Sequence, residues 1–470
     1  MALSCFEYYP KKPLKNLDSI SIHCPDNYLP ARQWIAGIIA DRLSNNYLLV
    51  PEKRTNWEIR IGDIFSLSFP DILIPKLHQI PTLKLSSVST FESGIKGYAP
   101  LPVIDGENLA QTLTHENSTN EIIKADVFGM SFWALSCWEE IYGNPKYDSH
   151  DRFVASSSYT QANCIHDRPW VDEWINFIRE KIAKRIPSFK LTPQHARVNL
   201  SHDVDHPSRF AFCPTLVFLK RLLGDLFLYK KFNSLIKAPL SRFTSQNAIS
   251  EVDRWNTFEW LMDKSEEHGL VSTFNFQIGD STHPKDAYYQ INDPPLRELI
   301  KKIHDRGHQV GFHPSYNASI NRKIFKGEAK SFFTLCGELN IDQEEWGGRM
   351  HYLRFRSPGT FHLWESSGFT FDGSMGFADT PGFRSGTCFE YAAYDPTRKQ
   401  QLGLKIRPLV VMDCSAFPHN PSEREKEKAL NELQELKMRC LTVGGTFSLL
   451  WHNNYFLNEE VENAYLSLIR

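Results

Sequence analysis

The sequence predicts an α/β protein of two domains, the larger built on a parallel sheet closed as a (β/α) barrel. Three observations carry this expectation. The chain has 470 residues, beyond the length at which one hydrophobic core stops growing. From Arg197 onward short apolar strands alternate with helical stretches, the pattern of repeated β-α-β units. Chemically reactive residues also fall repeatedly at the C-terminal ends of those strands, where barrels carry their sites.

In chain order, Ala31 to Leu43 has helical spacing with Trp34, Ile38 and Ile39 on one face, and Asn56 to Gly62 alternates as a strand does. Two helices are expected over Phe128–Tyr142 and Trp170–Ile186, separated by a polar, turn-rich stretch from Gly143 to Arg168. Two prolines in Pro187–Pro193 mark a boundary. Residues 1–190 are read as a smaller N-terminal α/β domain and 191–470 as the barrel. Within the latter, strands are expected at Val198–Val204, Val271–Ile278, Gln309–His313, Tyr352–Arg356, Ile406–Met412 and Thr446–Trp451. Helices at Trp255–Gly269 and Pro295–Gly307 each end in glycine.

Composition narrows the function classes. The net charge is -2, and this balance offers no electrostatic reason for a nucleic-acid or anionic-membrane partner. Nine scattered cysteines without CxxC pairs argue against a disulfide framework or zinc knuckle and for a reducing, cytoplasmic setting. The opening residues place charges before any apolar run, so no signal peptide is expected, and no apolar run is long enough for a membrane span. Motifs for serine hydrolases (GxSxG), phosphate-binding loops and zincins (HExxH) are absent.

Four clusters carry chemistry. In Ser201–His206 the strand period places Asn199, Ser201, Asp203 and Asp205 on one face, with His202 and His206 on the other. Paired carboxylates repel, so they call for a proton or a cation. In Gly307–Asn317, His313 closes a strand and faces away from His308, and a helical start at Pro314 would return Asn317 beside it. Leu353–Gly359 ends a strand in Arg356, able to grip a carboxylate. Leu449–Asn454 ends an apolar strand in His452, suited to proton transfer.

In this order the four clusters resemble the polysaccharide deacetylase family, the NodB-homology domain. Leu200–Asp205 looks like its paired-aspartate motif with Val204 inserted. Gly307–His313 is similar to its histidine motif, Arg356–Gly359 to its arginine motif and Leu449–His452 to its last. The resemblance spans about residues 197–455. The His-Asp-Val-Asp form and Phe383–Cys388 resemble a bacterial branch tied to surface-polysaccharide biosynthesis. In that branch an extra N-terminal domain has no known function; Ser136–Glu140 and Asp148–Phe153 look like part of it.

The resemblance implies a distorted seven-stranded barrel and a carbohydrate substrate. It implies a divalent ion, Zn²⁺, on Asp205 and His313 with Asn317 as third ligand, and His202, His206 or His351 as substitutes. Asp203 would be the general base, Arg356 its partner, and His452 the acid protonating the leaving amine, with Asp372 or Asp413 holding the imidazole. The implied activity is hydrolytic removal of N-acetyl groups from amino sugars of a surface polysaccharide or its precursor. Two rivals stand beside it: a non-catalytic glycan-binding relative, suggested by asparagine where the family has histidine, and an amidohydrolase of another C–N bond.

Overall fold

The structure is a computed structural model. It describes residues 19–85, 88–92, 99–104, 119–228, 230–279, 283–417, 422–456 and 458–470. The opening segment, expected to lack a signal sequence, lies outside them. The chain divides into two compact units, one of residues 1–133 with 173–194, the other of residues 134–172 with 195–470.

The first unit holds a five-stranded sheet in the order β2-β1-β3-β4-β7. Its strands are β1 (Ile20–Pro25), β2 (Tyr47–Glu52), β3 (Asn56–Ile61), β4 (Phe65–Pro70) and β7 (Asn120–Ile122); β5 (Ser89–Phe91) and β6 (Leu101–Val103) form a separate pair. The expected helix is found at Leu29–Leu43, with Trp34 and Ile39 buried. Strand β3 buries every second residue, Trp57, Ile59 and Ile61, as its alternation required.

The second unit is built on a nine-stranded sheet in the order β13-β14-β12-β11-β10-β9-β8-β16-β15. Its strands are β8 (Arg197–Val204), β9 (Ser272–Phe276), β10 (Gln309–Phe312), β11 (Gly347–Gly348), β12 (Phe371–Asp372), β13 (Tyr391–Asp395), β14 (Gln400–Ile406), β15 (Val411–Met412) and β16 (Thr446–Leu450). All ladders from β14 to β15 are parallel; only the β13–β14 edge pair is antiparallel. Helices at Phe258–Glu267, Pro294–Asp305, Arg322–Glu338, Gly359–Glu365 and Glu423–Thr442 make the crossovers.

The expected closed barrel is corrected to a curled open sheet: among the described residues no ladder joins the two edges. The outer edge of β12 is taken by β14 and β13, and β15 offers only two residues for pairing. The curl is nonetheless strong. Strand β11 lies three places from β8, roughly 14 Å in a flat sheet. Yet Arg349, just past β11, bonds Ser201 and Asp203 on β8.

Three local expectations also change. Phe128–Tyr142 is two helices, Val127–Leu135 and Trp138–Tyr142, broken at Cys137 with φ 55°. Tyr352–Arg356 is no strand, because Tyr352 and Leu353 take left-handed φ values of 60° and 52°. Ile406–Met412 is the end of β14 and the whole of β15, with Pro408 in the unpaired stretch between them. Residues 134–172, placed by the sequence in the N-terminal domain, lie in the second unit. There Glu140 pairs with buried Arg384, and Asp172 accepts bonds from Thr387 and the Cys388 amide.

Candidate metal centre

The site lies where β8, β10, β11 and β16 end. Asp203 is the second-last residue of β8, and Asp205 follows the strand's end; the strand period put them on one face, and His313 lies within 4 Å of both. Asp205 Oδ1 is 3.2 Å from His313 Nε2 and 3.4 Å from His351 Nε2. These three side chains form one of two groups able to hold a metal ion among the described residues.

Several features fit a cation at this point. With zinc bonds of about 2.0–2.1 Å, neighbouring ligands of a tetrahedral ion lie roughly 3.3 Å apart; both carboxylate–imidazole separations match. His313 Nε2 is buried and has no hydrogen-bond partner, while its Nδ1 donates to the Arg349 carbonyl at 2.7 Å. Nε2 is thereby turned toward Asp205. His351 Nδ1 is held by the Asp286 carboxylate at 2.9 Å, the outer partner that ligating histidines usually have. Asp286 is fixed in turn by the Tyr316 amide at 2.7 Å. Burial alone would raise the Asp205 carboxyl, but His351 and His313 outweigh it and hold it well below the usual range. Burial would likewise lower His351, yet Asp205 and Asp286 push it up to about 9. The pocket attracts positive charge.

Beside this triad Asp203 is locked by two donors on one oxygen. Its Oδ1 accepts from Arg349 Nη1 at 2.9 Å and from Asn275 Nδ2 at 2.7 Å, leaving Oδ2 facing His313 at 3.9 Å. Burial would raise this carboxyl; Arg349, then His313 and His452, keep it below its ordinary value. Arg349 is itself buried and spends its other donors on Ser201 Oγ and the Gly373 carbonyl. Gly311 makes room for the arrangement, since a Cβ there would stand 1.9 Å from Asn275 Oδ1.

On the far side His452 follows β16. Its amide and Nδ1 both bond Asp413, at 2.6 and 2.8 Å, and its Nε2 lies 3.7 Å from Asp205 Oδ2. Burial would lower this imidazole, but the Asp413 carboxylate dominates and raises it well above its usual range. Asp205 and His452 are the members open to solvent, with side chains 24% and 12% exposed.

Not every expected residue is here. Arg356 points away, about half exposed and paired with Asp151, because the left-handed turn at 352–353 redirects the chain; Arg349 occupies the place expected for it. Asn317 sits in a short 3-10 turn, Tyr316–Ser319, and the histidine that stands with Asp205 and His313 is His351, which the sequence offered as a substitute. His202 is a core residue bonded to the Trp451 carbonyl at 2.7 Å, and burial lowers it to about 4. His206 stacks with Trp255 and Tyr288 and is likewise lowered to about 4 by burial. Asp372 is bound to Ser374 and raised by burial to about 7; Asp413 is the partner of His452. Arg349 had one available signal: it precedes His351 by two residues, after the Gly347-Gly348 pair.

Fold and site define an α/β protein with a largely buried carboxylate–imidazole cluster able to hold a metal ion. A family model described as a family of unknown function (DUF7033) matches residues 20–187. No curated protein matches the chain. A solved structure described as a "putative polysaccharide deacetylase from Mycobacterium smegmatis" is similar over 59% of this chain and 84% of that one, at 15% identity and a TM-score of 0.35. A likeness of that size carries no argument about activity.

Proposed function

We propose that the second unit is a metal-dependent hydrolase that removes N-acetyl groups from amino sugars of a surface polysaccharide or its precursor. The observation supporting this reading is the convergence of Asp205, His313 and His351, flanked by the Asp203–Arg349 and His452–Asp413 pairs. Asp205, His313 and His351 would hold the divalent ion, zinc being suited to two imidazoles and a carboxylate. Such an ion supplies Lewis acidity, polarising an amide carbonyl and acidifying water. Asp203, ionised and with Oδ2 free, takes the proton from the attacking water; Arg349 keeps it ionised and fixed. His452, charged by Asp413 and open to solvent, gives a proton to the departing amine. The products are acetate and a free amino sugar. Tyr352, whose ring lies 4.8 Å from that of His351, offers an aromatic face beside the site.

The glycan-binding alternative rested on asparagine in place of a second imidazole. With His351 as the second imidazole, the hydrolase reading does not depend on Asn317. The test is acetate release from N-acetylated amino-sugar oligosaccharides by zinc-loaded protein. Asp203→Asn and His452→Ala should each lower turnover by ~10²–10⁴ while the fold persists. Release of ammonia instead of acetate would favour an amidohydrolase of another C–N bond; unchanged turnover in both variants would reject the assigned roles.

A further inference from the structure

We propose that the two-helix hairpin inserted between β8 and β9 docks this chain on the surface of an anionic phospholipid bilayer. Its helices are Thr215–Phe227 and Ser234–Thr244. A water-facing hairpin turns its apolar stripe inward and its polar face out. This one is reversed. Its buried positions are Asp225, Ser234, Ala238 and Ser241, joined by a polar network: Asp225 to Arg209 and Ser234, and Ser241 with Ser208 to Asp253. The outward side chains include Leu216, Phe227, Leu228, Phe232, Ile236 and Phe243, each 68–81% exposed. More than half of the large apolar side chains exposed among the described residues lie in this one hairpin. Such a concentration marks an interaction surface.

Charge chooses the occupant. Residues 207–250 contain seven lysines and arginines and a single acid, Asp225, which is buried. Lys220, Lys230, Lys231 and Lys237 are exposed among the apolar side chains with no exposed carboxylate between them. Two copies of this face would repel one another, whereas anionic headgroups complement it, and Leu and Phe suit the headgroup–acyl boundary. The near-neutral net charge gave no reason to expect an anionic membrane partner; that average conceals a strongly cationic segment. No described helix is long and apolar enough to cross a membrane, so the contact is with one leaflet. The hairpin follows directly from β8 and is tethered by Arg209 and Ser208, four and three residues past Asp205. Docking therefore holds the strand end bearing Asp203 and Asp205 near the bilayer, although the docking itself does not depend on what the site hydrolyses.

The test is flotation of the full chain with vesicles of phosphatidylcholine, alone or mixed with phosphatidylglycerol. Binding is expected only with phosphatidylglycerol present, and should weaken as salt rises. Each lysine near such a surface contributes about fivefold, so the triple substitution Lys230→Glu, Lys231→Glu, Lys237→Glu should reduce binding at least about a hundredfold. Phe227→Ser with Phe232→Ser and Ile236→Ser should abolish it with an unchanged unfolding midpoint. Equal binding to both vesicle types, or none to either, overturns the proposal. Failure to bind together with a dimer in light scattering that the apolar substitutions dissolve would reassign the face to self-association. The wild-type salt and lipid dependence decides the matter even if a variant fails to fold.

Discussion

Replacing Arg349 by Met removes a buried guanidinium of similar reach and leaves its carboxylate partner in place. Asp203 Oδ1 then keeps Asn275 but loses the donor at 2.9 Å, and Ser201 Oγ and the Gly373 carbonyl lose theirs. Breaking one side of a buried pair typically costs about 3–5 kcal/mol, mostly because a charge remains unpaired in a poorly polarisable interior. With its largest opposing charge gone, burial should raise the Asp203 carboxyl toward its unfolded value, against the remaining pull of His313, His452 and Asn275. The sign follows from linkage. In the native chain Asp203 is depressed, so its contribution is present above the unfolded carboxylate range and lost as pH falls. In Arg349→Met that depression is smaller, so less stability is lost as pH falls and the deficit should shrink on acidification. Urea unfolding at neutral and mildly acidic pH measures this directly. Adding Asp203→Asn should restore about 1–3 kcal/mol of the loss, the coupling expected of contacting residues. Arg356→Met is the matched control: its pair with Asp151 lies near the surface, with side chains 48% and 35% exposed, and should cost ~0–1 kcal/mol. Equal costs for the two arginines, or no recovery on neutralising Asp203, would refute the assignment of Arg349 as the partner of the acid.

Other outcomes follow from the same contacts. His351→Ala should remove tight zinc binding measured by calorimetry, whereas Asn317→Ala should leave it intact. Asp286→Asn, which loosens the hold on His351, should weaken zinc about 10–100-fold. Gly311→Ala should destabilise the protein by about 1–3 kcal/mol in chemical unfolding, since its methyl must displace Asn275. His202 and His206 are held neutral to about pH 4 in the folded chain. The unfolded state therefore binds more protons between about pH 6.5 and 4, and each should remove up to about 1.4 kcal/mol of stability per pH unit on acidification. His202→Asn should flatten that slope; an unaltered slope would contradict burial of the neutral ring.

What the sequence determined by itself was whatever local periodicity encodes. Alternation along Val198–Val204 put Asp203 and Asp205 together and turned His202 away, and the same rule separated His313 from His308. The abrupt end of an apolar strand singled out His452, which follows β16. Tertiary structure decided the partners, because these depend on chain direction in turns and on the curl of the sheet. Left-handed residues at 352 and 353 sent Arg356 outward, while the curl carried Arg349 across to Asp203. His351 entered the cluster from a turn that no strand or helix period describes, and Asp413 rather than Asp372 met His452 because β15 pairs directly with β16. The hairpin makes the same point: periodicity shows that a helix has two faces, but only packing against a polar network reveals which one is left to the solvent.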